Sequence, residues 1–186
     1  MADPAKGTGA TYEDLAEVSD DLVAEITHGE LWVTPRPAPK HARVASALGA
    51  RLFGPFDEGE RGPGGWWILD EPEVHFGADV LVPDLAGWRR ERMADLPDSA
   101  WFEVVPDWVC EVISPRTARV DRDHKLPVYA ANGVGHLWLI DPAPKSLEVY
   151  GQHKGGWILL QTFGQDDVVR AEPFDAVPLD LAILWR

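Results

Sequence analysis

Pro106-Asp107-Trp108-Val109-Cys110-Glu111-Val112-Ile113-Ser114-Pro115 is the stretch on which the reading of the chain turns. Trp108 to Ile113 is an apolar run bounded by prolines, the pattern of a short strand buried on both faces. Glu111 interrupts that run. A carboxylate inside a buried strand carries a desolvation cost unless it is paired, hydrogen-bonded or bound to a metal. Two readings are therefore open, a structural ion pair and a functional site. A second acid of the same kind lies upstream. Ala78 to Trp88 reads as another short apolar strand, with Asp84 set just after Pro83. Neighbouring strands that each present one acid toward the same edge could share a divalent cation, and hard cations such as Mg²⁺ favour such oxygen ligands, with water completing the shell.

Downstream, Arg116, Arg119, Arg122 and Lys125 recur every third residue, a spacing that could align them on one side of a turn or helix. Arg89, Arg90 and Arg92 follow Asp84 in the same way. Either cluster could serve a phosphate backbone, or simply neutralise Asp121, Asp123, Glu91 and Asp95 on a solvated surface. A helix is predicted through Lys125, Tyr129 and Ala130, with Pro127 implying a late start or a kink and Asn132-Gly133 ending it. Lys125 and Tyr129, four apart, share a face with Arg122. Strands follow at His136 to Ile140, Leu147 to Tyr150 and Trp157 to Phe163, the last two joined around Lys154-Gly155-Gly156.

Upstream, Thr11 with Asp14 reads as the cap of a short helix reaching about Val18. Val23 to Thr27 and Glu30 to Thr34 flank His28-Gly29 as a hairpin. Glu25 lies in its first strand, where an edge-strand carboxylate facing water is expected. Pro35 to Pro39 is a stiff connector. Beyond it, His41, Val44, Ala45, Leu48 and Leu52 fall at helical spacing, with His41 read as a structural histidine at the start of the apolar face. No second histidine stands at zinc-binding spacing. Gly54 to Gly65 is read as a loop, and not a phosphate-binding one, since no Gly-Lys-Ser/Thr follows. Trp66 to Leu69 and Glu73 to Phe76 are strands leading into Asp84, and Arg89 to Pro106 is a connection.

With 186 residues, 45% of them hydrophobic, the chain suits one domain, residues 11–186, behind a disordered tail, residues 1–10. The expected class is α/β or α+β, a mixed sheet flanked by helices with additional antiparallel hairpins. Cys110 is the only cysteine, so no intramolecular disulfide can form. No signal peptide or apolar span is recognisable, and the expected location is cytoplasmic. A net charge of −14 and a pI near 4.7 oppose a polyanionic partner. Half of that charge sits in the first thirty residues, which hold eight acids and one lysine, outside the proposed site.

Pro83-Asp84, Glu111-Val112-Ile113 and a downstream lysine together resemble the PD-(D/E)XK nuclease pattern. The wording around them resembles the Uma-two family of endonuclease-like proteins: Ala24 to Leu31, Pro39-Lys40-His41, Val82 to Leu85, Glu111 to Pro115, Asp121 to Leu126 and Gly133 to Pro142. One departure from the superfamily pattern is the lysine due two residues after the glutamate, where Ile113 stands. The resemblance to the Uma-two branch extends to this point and moves the lysine to Lys125, one of only five in the chain. It implies a restriction-endonuclease-like fold and metal-dependent hydrolysis of phosphodiester bonds in DNA. Asp84, Glu111 and the Val112 carbonyl would hold Mg²⁺ or Mn²⁺, with Lys125 as the catalytic cation. Glu25, His41 and Tyr129 are further candidates for the site, and Arg116, Arg119 and Arg122 for phosphate contacts.

The competing class is the same fold as a non-catalytic module for protein binding or oligomerisation. Nine tryptophans exceed what one small core requires, and a homodimer is the expected assembly. Metal at the two acids would favour the enzyme, and a salt bridge from Lys125 filling that space would favour the module.

Overall fold

A computed structural model describes residues 4–114, 119 and 121–186. The predicted buried strand is central in it. Strand β7 (Trp108–Val112) has every residue buried and lies between β6 (Leu85–Arg89), antiparallel, and β8 (His136–Asp141), parallel. Outward on one side β8 pairs with β9 (Ser146–His153) and β9 with β10 (Gly156–Gly164); on the other, β6 pairs with β3 (Trp66–Asp70). The class read from the sequence, a mixed sheet with helices and antiparallel hairpins, is the one observed.

Alternation along β7 divides the core. Trp108, Cys110 and Val112 point toward helix α2 (Pro39–Leu52) and the C-terminal segment; Val109 and Ile113 point toward helix α3 (Leu126–Ala131). Glu111, two residues from each of the latter, shares the α3 face. Gly87 of β6 leaves room for the rings of Trp66 and Trp108, since a Cβ there would come within 3.3 Å of both. Five tryptophans, at 32, 66, 88, 108 and 138, are buried and the other four half-buried, so the core takes up the residues whose number suggests an interface.

A second sheet leans on the first. Its order is β2-β1-β5-β4, from β1 (Leu22–Thr27), β2 (Glu30–Pro35), β4 (Val74–Phe76) and β5 (Asp79–Leu81). The hairpin turns at His28 and Gly29, whose φ values of 53° and 75° are those a tight two-residue loop demands. Strand β1 is thus internal, between β2 and β5, and not the edge expected for it. Residues 5 and 6 run along β2 instead: Ala5 N–H donates to the Leu31 carbonyl and Leu31 N–H to that of Lys6. Helix α1 (Tyr12–Ala16) ends two residues short of the expectation, behind the Thr11/Asp14 capping box.

Two further expectations are corrected and one pair of alternatives is decided. The Asp84 segment is two strands, β5 and β6, broken at Val82–Asp84 by Pro83, which cannot donate to a ladder. The stretch Gly54 to Gly65, expected as loop, is helical in its first part: Phe53–Glu58 continues α2 as a π-turn that buries Phe56 and Asp57. Lys125 closes a π-turn over Asp121–Lys125, and α3 starts only at Leu126 with Pro127 in its first turn, the late start of the two alternatives. The C-terminal region, which carries little periodicity, forms β11 (Val168–Val169), β12 (Leu179–Asp180) and a 3₁₀ turn, Leu181–Trp185. It seats Phe174 among Phe56, Trp66, Trp108 and Trp138, with ring centroids 4.7 to 5.6 Å apart. Phe174→Ala is expected to cost about 3–5 kcal/mol, read as a shifted midpoint in urea denaturation, because the surrounding rings cannot collapse into the cavity.

Candidate active site

The register Leu85↔Cys110 between β6 and β7 sets the geometry, because one step beyond it Asp84 stands beside Glu111. Strand β6 ends there, and the Asp84 side chain takes over its ladder: Oδ2 accepts the Val112 N–H at 2.7 Å. Glu111 lies under α3. Its Oε1 accepts the Tyr129 hydroxyl at 2.6 Å and is 2.7 Å from Lys125 Nζ. The same Nζ is 3.0 Å from Glu25 Oε1 and donates to the Val82 carbonyl at 3.4 Å. Glu25 is brought in by the pairing of β1 with β5 (Ile26↔Val80), which also lets its Oε1 accept the Val82 N–H at 2.8 Å. Ile113, where the superfamily pattern places lysine, packs into the apolar cluster on the α3 face. The cation arrives instead from the element covering that face.

Glu25, Val82, Asp84, Glu111 and Lys125 lie at the floor of a cavity of about 850 Å³. Glu111 is 2% exposed, Lys125 4% and Glu25 6%. Asp121, also buried, lines the same cavity and acts electrostatically on Glu111, Lys125 and His41. Four carboxylates, Glu25, Asp84, Glu111 and Asp121, thus share the cavity with one lysine among the described residues. The result shows in their proton affinities. Burial works against the Lys125 charge, but Glu111 and Glu25 outweigh it and hold its pKa well above the ordinary value. Burial pushes Glu111 well above the ordinary carboxylate range; Lys125 pulls it back only in part, while Asp84, Asp121 and Glu25 push it higher. Burial raises Tyr129 too, with Glu111 adding to it, so the phenol stays a donor.

Two expectations change here. Glu25 is no solvent-facing carboxylate, since β1 is internal and its side chain meets Lys125. His41 is no mere core residue: Nε2 is 3.3 Å from Asp84 Oδ2, and the Val112 carbonyl faces its ring. Burial lowers its pKa, and the hydrogen bond and charge of Asp84 reverse that to a net increase. Asp121, which the sequence groups with surface acids, is a member of the site that sequence reasoning misses. Its place two residues from Asp123 in a strongly charged run hides it; the spacing of four to Lys125 is the available signal.

The arginines divide. Arg119, exposed, lines the cavity and is 3.5 Å from Asp123. Arg122 turns away to Glu148 at 3.0 Å, so it does not share the Lys125–Tyr129 direction. Arg116 lies outside the described residues. Of the upstream cluster, Arg90 stacks on Trp67 and pairs with Asp57, Arg89 covers Trp66 and Arg92 pairs with Asp107. That cluster braces β3, β6 and the following connection.

Whether a divalent ion suits the site is a matter of donors. Asp84, Glu111 and the Val112 carbonyl are hard oxygen ligands, and the contacts described above hold each carboxylate through a single oxygen. The surplus of acids over the one lysine is the charge such an ion would balance. Among the described residues no three His, Cys, Asp or Glu side chains converge as a ready metal cluster, so water would complete the shell, as is usual for Mg²⁺. The residues fit.

The mixed sheet thus sets Asp84 beside Glu111, and a buried lysine bridges Glu111 to Glu25. The fold is similar to a crystal structure described as a "putative nuclease belonging to DUF820 from Anabaena variabilis ATCC 29413", with a TM-score of 0.75, 20% identity, and coverage of 94% of this chain and 97% of that one. The chain belongs to the Uma2 family, described as "Putative restriction endonuclease", whose model matches residues 10–182. No curated protein matches it. No described helix is long and apolar enough to cross a membrane.

Proposed function

We propose that the protein is a divalent-metal-dependent nuclease that hydrolyses phosphodiester bonds in DNA. The observation carrying this reading is the placement of Asp84 beside Glu111, with Lys125 Nζ 2.7 Å from the latter, at the floor of an open cavity. Asp84, Glu111 and the Val112 carbonyl would hold Mg²⁺ or Mn²⁺. When bound, such an ion supplies Lewis acidity toward water and phosphate. Lys125, kept charged by Glu111 and Glu25, lines the cavity and would stabilise negative charge developing on a phosphate bound there. Tyr129 fixes the Glu111 carboxylate through Oε1, and Glu25 positions Lys125. Arg119 at the cavity wall offers a phosphate contact.

The non-catalytic module has one observation in its favour, the Lys125 bridge to both Glu111 and Glu25. The two readings part on metal and turnover. Titration with Mg²⁺ and Mn²⁺ by calorimetry, alongside cleavage of labelled DNA, is expected to show saturable binding and metal-dependent product. Neither binding nor product would leave the module as the surviving reading.

A further inference from the structure

Resting on the nuclease reading, we infer that the site takes an unpaired nucleic acid strand and not a continuous duplex. Depth is the first reason. The reacting phosphate must come within hydrogen-bonding distance of Lys125 Nζ, and that side chain, Glu111 and Glu25 are all buried at the cavity floor. A duplex brings two strands and a broad rim of contact with it; a single strand can dip one phosphodiester into a recess.

Charge is the second. Duplex DNA carries one negative charge per roughly 1.7 Å of axis and a single strand one per roughly 3.4 Å, so a duplex meets about twice the repulsion per unit length. This chain carries −14 overall. Duplex binders offset such repulsion with contacts to many phosphates. The arginines described at this cavity are Arg36 and Arg119, and each faces an acid, Glu71 at 3.4 Å and Asp123 at 3.5 Å.

The third reason is the chemistry of the walls. Beside the charged groups, Val23, on the same strand face as Glu25, lines the cavity, and Pro35 and Pro37 belong to its lining together with Thr34 and Arg36. An apolar wall suits a base that has left its stack, while a polar floor suits the phosphate attached to it. A duplex keeps its bases inside and has nothing to place on such a wall.

The test is fluorescence anisotropy with a labelled single-stranded oligonucleotide and with a hairpin duplex of the same sequence, in Ca²⁺ at low salt, so that binding is read without turnover. The single strand is expected to bind about tenfold or more tightly than the duplex, the scale of one seated base. Val23→Thr, uncharged, isosteric and on the Glu25 face of β1, is expected to reduce single-strand affinity severalfold and leave duplex affinity unchanged. A duplex bound as tightly as the single strand would overturn the inference and leave the nuclease reading standing. Val23→Thr weakening both equally, or neither, would show that the apolar lining seats no base, and would overturn the inference on that ground. Failure of both polymers to bind would overturn the inference together with the nuclease reading beneath it.

Discussion

Lys125→Met is expected to lower single-turnover DNA cleavage by about two powers of ten or more, the scale on which losing one preorganised charge-stabilising group is felt. Metal binding should persist in the variant, because the two proposed carboxylate ligands remain and one cation that competes for Glu111 is gone. An unchanged rate would falsify the role assigned to Lys125. The substitution also removes the counter-charge between Glu111 and Glu25, so its effect on the fold must be separated from that on the chemistry. Breaking a buried pair costs about 3–5 kcal/mol when the remaining charge stays uncompensated. Protonation relieves it, and the sign follows from linkage. The folded-state pKa of Glu111 is already raised, so its contribution to stability is present below the ordinary carboxylate value of 4.5 and lost as pH rises through the folded value. Without Lys125 that loss should be larger. Urea denaturation at about pH 5 and about pH 8 should show a steeper fall for Lys125→Met than for the parent. Arg119→Ala should behave differently: removing an exposed phosphate-binding cation weakens DNA binding and flattens its salt dependence, with little change in the single-turnover rate.

Glu111→Gln and Asp84→Ala are each expected to abolish measurable Mg²⁺ or Mn²⁺ binding by calorimetry and to reduce cleavage by about a thousandfold or more, equivalent to about 4 kcal/mol of lost transition-state stabilisation. The glutamine keeps the shape of Glu111 and a carbonyl oxygen for the Tyr129 hydroxyl, so the sheet and α3 should remain in place. The two variants differ in what they leave behind. Glu111→Gln leaves Lys125 with Glu25 as its nearest carboxylate, whereas Asp84→Ala leaves the Lys125 bridge intact and removes the side-chain acceptor of the Val112 N–H. Retained metal affinity in either variant would show that the ion rests on other groups, with Asp121 the next acid to replace.

The central strand, the family and a lysine that the fold sets beside Glu111 were legible in the residues themselves. Trp108 to Val112 is apolar without a break except at Glu111, and such a run has few places to go but the middle of a sheet covered on both faces. The same holds for the His28-Gly29 hairpin, because positive φ at two adjacent residues is a local demand met by local chemistry. Lys125 could be singled out because a motif expects a cation and Ile113 cannot supply one. What the sequence left open was decided by contacts distant along the chain. Glu25 reads as an edge-strand acid until β1 pairs with β5 and carries it to a lysine one hundred residues away. His41 and Asp121 each sit in stretches that read as a structural helix face and a solvated charge run, and only the β6–β7 register and the π-turn at Asp121–Lys125 bring them to Asp84 and Glu111. A carboxylate's role depends on its dielectric surroundings and on which cation shares them, and both are properties of the packed sheets rather than of neighbours in the chain.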